Sequence, residues 1–383
     1  MSKKLSVRSL SDSSLAELAN LLVSTISYVQ YAPDVNLDIN IVMVELNEYL
    51  TQAGATSNIY QDLLRVILSS DYLEANMRFT CLQMLLNCGV HFLVTEVFPP
   101  SYYEKILQVI AAQGAALRVL NLKGIWVKEE HMHYMYEIVR RCKQLIKLYV
   151  PYIANDQLLE EIATNCNRLQ ILDISGETDI TEIGIDFLAK GNCAQSLTIV
   201  DVGMPELMSL LEKPIGRSLR HLTMIKGSGN LELGKLARVC PILIDLDCYV
   251  IESLSYAQPQ ARFQQLEGLE ILSCEMMSSS LKAFLCSVTD LKRLAVDSVD
   301  FTDEDIVSMF VQHDFKVLED IWFTIAPELT VQAVELLMES CPELQSVGQL
   351  TGWSLSPDDL ALIRGLLKSG NSSLVLTSNG LLA

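Results

Sequence analysis

Histidine is the side chain from which acid–base and metal chemistry is most often built, and this chain holds only five. His131 and His133 stand two positions apart, a spacing at which helical side chains do not face each other. No nearby carboxylate or thiol completes a metal-ligand spacing there. His91 lies in an apolar stretch, and His313 lies near a predicted helix end. The sequence also lacks the G-x-S-x-G and H-E-x-x-H motifs. We therefore predict no catalytic residues, no metal site and no cofactor.

One segment has the spacing of a phosphate-binding loop, G-x-x-x-x-G-K, from Gly229 to Gly234 and Lys235. The next residue is Leu236, where that motif needs a hydroxyl that reaches magnesium. Leu231 and Leu233 are also unsuited to a loop that wraps phosphates. The segment is therefore interpreted as a structural connection in which glycine supplies turns.

The ten cysteines form no C-x-x-C pair and fit no zinc framework. Four of them, Cys142, Cys166, Cys240 and Cys341, each precede a leucine by three positions. A free cysteine behaves as a small hydrophobic residue and is often fully buried. The spacing predicts one buried thiol per structural unit, in a reducing compartment.

Composition narrows the function classes further. Half of the 383 residues are hydrophobic and only 20% are charged, so a large core is available. The formal net charge of −19 disfavours binding to nucleic acid, whose phosphates it would repel. No apolar run reaches the roughly 18 residues that cross a bilayer, and no signal-peptide core follows Met1. We predict a soluble protein without nucleic-acid or membrane partners, in the cytoplasm, with the nucleus as the alternative.

The elements that would position any site follow from an internal repeat, Leu-x-x-Leu-x-Leu with apolar substitutes. Its first leucines are separated by 28, 24, 28, 22, 24, 26, 22, 27, 26 and 30 residues. The copies are Leu117/Leu120/Leu122, Leu145/Leu148/Val150, Leu169/Leu172/Ile174, Leu197/Val200/Val202, Leu219/Leu222/Met224, Leu243/Leu246/Cys248, Leu269/Leu272/Cys274, Leu291/Leu294/Val296, Leu318/Ile321/Phe323, Leu344/Val347 and the fragment Leu374/Leu376. Each Leu-x-Leu pair predicts a short strand with its leucines turned inward, followed by a helix. Helix starts are predicted at Thr181, Thr302 and Ser356. Stacked units of this kind form an α/β solenoid, with parallel strands on its concave face and helices on its convex face.

Segments such as Cys166-Asn-Arg-Leu169-Gln-Ile-Leu172-Asp-Ile174 and Cys341-Pro-Glu-Leu344 resemble the cysteine-containing leucine-rich repeats. The resemblance covers residues 115–383, about ten repeats. This part of the chain is similar to the repeat domains of F-box-type and Zyg-like ubiquitin-ligase substrate receptors. That resemblance implies a protein partner and a link to the elongin and cullin machinery.

The amino-terminal third is predicted to be a disordered tail over residues 1–13 and a helical domain over residues 14–114. One role for such a domain is a cap on the exposed end of the repeat array. The resemblance to Zyg-like receptors implies a second role, recruitment by an elongin-binding helix that carries Ser14, Leu15, Ala19 and Val23. No Leu-Pro helix start that resembles an F-box is present. Asn36 also departs from the apolar residue expected in a cullin-selecting segment.

The residues between and beside the inward leucines are predicted to face outward and to form the binding surface. Ile171, Ile199 and Ile271 fall among these outward positions. The candidate partner-binding residues are Tyr149, Asp173, Asp201, His221, Asp245, Asp247, Tyr249, Glu275, Asp297, Asp320 and Trp322. Because neighbouring strands lie about 4.8 Å apart, acids in successive repeats would stack into a stripe. Acids are usually depleted in strands, so such a stripe favours a function over a merely solvated face.

These patterns predict a non-catalytic protein-interaction module whose acidic, aromatic-studded concave face binds a basic protein partner. Its specialised form would be a substrate receptor of a cullin–RING ubiquitin ligase. The alternatives are a structural scaffold or adaptor without a ligase link, and an enzyme, for which no residue constellation is found.

Overall fold

A computed structural model describes residues 10–31, 38–175, 180–190, 195–257, 261–348, 350–369 and 375–377. The chain divides into two compact units, Met1–Leu169 and Gln170–Ala383. Among the described residues, no helix is both long enough and apolar enough to cross a membrane.

The first unit begins with helices and continues as strand–helix repeats. Its helices are α1 (Leu10–Tyr31), α2 (Ile39–Gln52), α3 (Ser57–Leu68), α4 (Ala75–Leu85), α5 (Tyr103–Gln113), α6 (Met132–Arg141) and α7 (Asp156–Asn165). Its strands, β1 (Phe92–Val94), β2 (Val119–Asn121) and β3 (Lys147–Tyr149), pair in parallel in chain order. The strand β1 is a correction, because it lies inside the range 14–114 that the sequence assigned to helices. The division into a cap and a repeat domain at residue 114 stays a prediction.

The helix α1 also begins at Leu10, inside the segment predicted to be disordered, whereas residues 1–9 lie outside the described residues. It packs on α2 and α3. Ala19, the small residue of the predicted recruitment helix, is only 4% exposed. Leu15 and Val23 are half-buried, and Ser14 is exposed. In the folded chain Ala19 therefore packs inside this unit, and the recruitment role of this helix stays a prediction.

The second unit continues the alternation of strands and helices, although the described residues between its fourth and fifth strands contain no helix. Its strands are β4 (Ile171–Ile174), β5 (Ser196–Gly203), β6 (His221–Glu232), β7 (Asp245–Ser255), β8 (Gly268–Leu272), β9 (Arg293–Val296), β10 (Asp320–Phe323), β11 (Ser346–Gly348) and β12 (Val375–Thr377). Its helices are α8 (Glu182–Lys190), α9 (Met204–Leu211), α10 (Pro214–Ser218), α11 (Leu233–Val239), α12 (Ser278–Leu285), α13 (Asp303–Gln312), α14 (Val331–Ser340) and α15 (Pro357–Ser369). All strand pairs from β4 to β12 are parallel and follow chain order. The predicted fold class, a parallel α/β leucine-rich-repeat structure with helices at its amino terminus, is confirmed.

The predicted helix starts are confirmed by their caps. Thr302 and Asp305 form a capping box at the start of α13, in which each side chain accepts from the other residue's backbone N–H. Ser356 Oγ accepts from the N–H of Asp359 at the start of α15 (3.2 Å). Thr181 Oγ1 accepts from the N–H of Ile183 at α8 (3.2 Å). These bonds satisfy donors that a helix leaves unpaired at its first turn.

The regularly spaced cysteines mark the other end of the helices. Cys142, Cys166, Cys240 and Cys341 are buried, and each is the residue that follows a helix. Each donates its backbone N–H to the carbonyl four residues earlier, at 2.8–3.0 Å. The thiol then enters the core before the chain turns towards the next strand. The predicted role as small buried residues is confirmed.

The strand register corrects two copies of the predicted repeat. Leu197 pairs with Leu172 and with Leu222, and Leu269 pairs with Leu246 and with Leu294. Leu197 and Leu269 are therefore the second leucine of their repeats, and the predicted register is shifted by three residues in both. As a result Ile199 and Ile271, which were predicted to face outward, are buried.

The corrected register predicts a large loss of stability for one substitution near the end of β8 and almost no change for another. Ile271 is 2% exposed, so Ile271→Ala should lower the free energy of unfolding by about 2–5 kcal/mol. Ser273 is exposed with a left-handed backbone (φ +56°), so Ser273→Asn should change it by less than about 0.5 kcal/mol. Denaturant unfolding monitored by circular dichroism gives both values. An Ile271→Ala variant as stable as the wild type would show that the register is wrong.

Candidate functional site

The open face of the second unit carries two rows of side chains that run across the strands. The first row contains the residues just before each buried second leucine: Ile171, Ser196, His221, Asp245, Gly268, Arg293, Asp320 and Ser346. The second row contains the residues just after it: Asp173, Thr198, Thr223, Asp247, Glu270, Ala295, Trp322 and Gly348. Both rows point away from the leucines because side chains alternate along a strand.

The two rows enclose a cleft of about 490 Å³ across β5–β10, which we call the sheet groove. Its lining includes His221, Asp245, Asp247, Glu270, Arg293, Asp320 and Trp322. Among all described residues, no group of three or more histidine, cysteine, aspartate or glutamate side chains could hold a metal ion.

In the first row, Asp245 is held by a base on each side. His221 Nδ1 lies 2.7 Å from Asp245 Oδ2, and Arg293 Nη2 donates to Asp245 Oδ1 at 2.6 Å. Arg293 and Asp245 lie two strands apart, and their contact passes over Gly268 of the intervening strand. A Cβ atom at Gly268 would lie 2.1 Å from Asp245 Oδ1. The pair therefore needs a residue without a side chain between its partners.

Ser196, His221 and Asp245 are neighbours in the first row and have the residue types of a hydrolytic triad. The His221–Asp245 contact resembles the orienting bond of such a triad. In the described part of the chain, however, no hydrogen bond joins Ser196 to His221. Arg293 also shares the aspartate that would orient the histidine. The arrangement positions His221 but lacks an activated serine.

In the second row, carboxylates accept hydrogen bonds from hydroxyl groups. Thr223 Oγ1 donates to Asp247 Oδ2 at 2.9 Å, and the Tyr249 hydroxyl donates to the Glu270 carboxylate. Burial raises the pKa of Asp247 to about 6, and the charges of Glu270 and Asp245 add to that rise. Burial and the bond to Glu270 also raise the pKa of Tyr249, so its hydroxyl stays a donor.

Trp322 forms one end of the sheet groove and is only 7% exposed. Its row neighbours are Ala295 and Gly348, and a Cβ atom at Gly348 would lie 2.3 Å from the indole ring. The ring therefore lies against the bare backbone of β11. Trp322 is thus a largely covered wall of the groove, and its role as an aromatic anchor for a partner stays a prediction. Beside it, Ser346 Oγ donates to Asp320 Oδ1.

The structure brings five of the predicted residues together in the sheet groove, with a sixth beside it. The five are His221, Asp245, Asp247, Asp320 and Trp322, and Tyr249 reaches the groove through Glu270. Sequence reasoning missed Gly268, Glu270 and Arg293. The shifted register of β8 had hidden the first two. The alternative copy Leu266-x-x-Leu269-x-Ile271 was the signal that could have found them.

The other predicted residues lie elsewhere. Asp173 belongs to the second row but is buried, and its Oδ1 accepts from the N–H of Ser175 (3.0 Å). Thr198 occupies the row position that was assigned to Asp201, whose side chain lies outside the described residues. Glu275 and Asp297 follow the ends of β8 and β9 and line a different cleft.

Tyr149 lies on β3 of the first unit, where Lys123 Nζ is 5.3 Å from its ring centroid. Such a distance allows a cation–π contact within that unit.

Comparisons with known proteins give only distant likenesses. No family model and no curated protein matches the sequence. A chain of the yeast Rad7–Elc1 complex is 14% identical, with 90% of this chain and 93% of that chain covered and a TM-score of 0.49. TLR13 from a complex with ssRNA13 is 18% identical, with 68% and 35% covered and a TM-score of 0.44. LegL7, a leucine-rich-repeat protein of Legionella pneumophila, is 12% identical, with 72% and 88% covered and a TM-score of 0.40.

Likenesses at this level add nothing about function. The fold rests on the strand register described above. It is a leucine-rich-repeat fold.

The raised pKa of Asp247 predicts that Asp247→Asn stabilises the folded protein by an amount that depends on pH. The folded state binds this proton more tightly than the unfolded state, so its stabilising contribution is complete below about pH 4 and is lost as the pH rises through about 6. Asparagine stays neutral and can still accept from Thr223. The variant should match the wild type near pH 3.5 and should be more stable by about 1 kcal/mol at pH 8, since solvent screens part of the effect.

Urea unfolding at the two pH values measures this difference. Asp71→Asn, at an exposed position in the first unit, is the control and should show no pH-dependent gain. An Asp247→Asn variant that is less stable than the wild type at pH 8 would contradict the assignment.

Proposed function

We propose that the chain is a non-catalytic protein-interaction module and that its sheet groove binds an extended, basic segment of a partner protein. The observation that carries this proposal is the set of three carboxylates, Asp247, Glu270 and Asp320, that line one cleft beside an already paired Asp245.

The three carboxylates of the sheet groove keep free hydrogen-bond acceptor capacity. Asp247, Glu270 and Asp320 each accept a hydrogen bond from a hydroxyl group, which leaves their negative charge in place. An ionised carboxylate accepts up to about four hydrogen bonds, so each of the three can accept more. A guanidinium or ammonium group from a ligand supplies both the donors and the opposite charge.

The sheet groove has the size of a ligand pocket and a rigid floor. A volume of about 490 Å³ lies within the range of about 300–1,000 Å³ that is usual for ligand pockets, and it accommodates one or two long side chains. The floor is a hydrogen-bonded parallel sheet, and the end wall is the buried Trp322. A preformed site loses little conformational entropy when a ligand binds.

Two narrower roles remain predictions. A substrate receptor of a cullin–RING ligase would need a recruitment surface, and the burial of Ala19 in the folded chain argues against α1 as that surface. The name of the Rad7–Elc1 complex describes that complex alone. A structural scaffold would use the same groove without a ligase link.

The groove proposal predicts which peptides bind. A random-peptide display library selected on the full chain should enrich sequences that contain Arg or Lys. The double variant Glu270→Gln/Asp320→Asn should weaken the binding of those peptides about tenfold or more, since each lost charge removes a charge-assisted contact. The loss should shrink as salt is raised. Fluorescence anisotropy with the synthetic peptides measures both effects.

The matched control is Asp290→Asn/Asp314→Asn, two exposed acids outside the groove. It should change affinity by less than about twofold. Enrichment of acidic peptides, or basic peptides whose binding is unaffected by Glu270→Gln/Asp320→Asn, would refute the groove as the basic-ligand site.

A further inference from the structure

A second cleft, of about 730 Å³, lies at the carboxyl ends of β7–β10, away from the sheet groove. We call it the edge cleft and define it by Glu275, Met277, Asp297, Val299, Asp300 and Ile325, which are among its lining residues. Two of these, Glu275 and Asp297, belonged to the acidic stripe predicted from the sequence. They follow the ends of β8 and β9 and belong to neither row of the sheet groove.

Three large apolar side chains of the edge cleft are exposed to solvent. The exposed fractions are 68% for Met277, 65% for Val299 and 53% for Ile325. They follow three successive strands, β8, β9 and β10, so their loops are neighbours. Single exposed apolar residues are ordinary on a surface, whereas several around one concavity mark an interaction site.

Hydrogen bonds between the loops hold the edge cleft in shape. The N–H of Leu254 donates to the carbonyl of Glu275 at 2.8 Å. The N–H of Ser273 donates to Asp297 Oδ2 at 2.6 Å, and the N–H of Ser298 donates to the carbonyl of Ile325 at 3.0 Å. The bonds link the end of β7 and the loops after β8, β9 and β10 in chain order. The apolar side chains are therefore presented on a connected frame that exists before a ligand arrives.

The charge around these apolar side chains is of one sign. Glu275, Asp297 and Asp300 are acidic, and of the described residues that line the edge cleft none carries a positive charge. A ligand for this cleft therefore needs an apolar group and a cation close to each other. The net charge of −19 disfavours a second copy of this chain as the occupant.

We propose that the edge cleft binds a short linear peptide segment of a partner protein in which a large apolar side chain adjoins Arg or Lys. The apolar side chain packs between Met277, Val299 and Ile325, and the cation pairs with Glu275 or Asp300. The end of β7 and the three loops, at about 4.8 Å spacing, span about 14 Å, the length of four to five extended residues. The inference does not depend on the sheet groove, because the two clefts share no lining residue.

The test uses the full chain and the random-peptide display library. Selected peptides are measured by fluorescence anisotropy against two edge-cleft variants, Met277→Ser/Val299→Ser and Glu275→Gln/Asp300→Asn. All four positions are exposed, so both variants are expected to fold, and a circular dichroism melt verifies this. Asp297 is left unchanged because it accepts from the N–H of Ser273.

Two further variants serve as controls. Val307→Ser/Val311→Ser removes two exposed valines from α13, outside the edge cleft. Glu270→Gln/Asp320→Asn alters the sheet groove alone. The proposal predicts a class of peptides, each with a large apolar residue beside Arg or Lys, whose affinity falls about tenfold in Met277→Ser/Val299→Ser. The affinity of the same peptides should fall about threefold or more in Glu275→Gln/Asp300→Asn and change by less than about twofold in both controls.

The outcome separates this inference from the proposed function. Peptides that respond to Glu270→Gln/Asp320→Asn alone would support the sheet groove and overturn the edge cleft. Peptides that depend on Met277 and Val299 but contain no cation would also overturn it, as would self-association of the chain through these two residues. Peptides that respond to the edge-cleft variants alone would support the inference while the sheet groove fails.

Discussion

Each strand of this protein has one central residue that must stack on its counterparts in the neighbouring strands. In β4–β11 those residues are Leu172, Leu197, Leu222, Leu246, Leu269, Leu294, Ile321 and Val347, and all are buried. A single strand–helix unit cannot bury its own leucines, so this stacking is what stabilises the array. Because side chains alternate along a strand, stacking one column also determines which residues face the open side. The two rows of the sheet groove follow from the leucine column.

The chemistry of the rows depends on where they contain glycine. Gly268 allows Arg293 to reach Asp245 across an intervening strand, and Gly348 allows the indole of Trp322 to lie on the sheet. The first contact uses the positive charge of Arg293 on an acid that is already bound to His221. Asp247, in the second row, is costly to ionise, as its raised pKa shows. Among the described residues that line the groove, four carboxylates outnumber the one arginine, so the groove is acidic.

Much of this architecture could be predicted from the sequence. The period of the leucines, the helix caps at Thr302 and Ser356, and the buried cysteines that follow helices all depend on local chemistry. The register of two strands could not be predicted in this way. Leu269 fits the repeat either as a first leucine, with Leu272 and Cys274, or as a second one, with Leu266 and Ile271. Only stacking on Leu246 and Leu294, which lie 23 and 25 residues away, decides between them. Likewise, the burial of Trp322 depends on a glycine that is distant in sequence, and a single strand gives no sign of it.

The whole groove depends on Asp245 and Arg293 belonging to one row and meeting across Gly268. The most direct test is the coupling free energy of this pair from a double-mutant cycle of Asp245→Asn and Arg293→Gln, by urea unfolding at low ionic strength. In the register described here, the coupling should be favourable by at least about 0.5 kcal/mol and should decrease with added salt. In the register shifted by three residues, Ile271 would occupy the position of Gly268 and separate the two charges. A coupling of zero at low ionic strength would contradict the account.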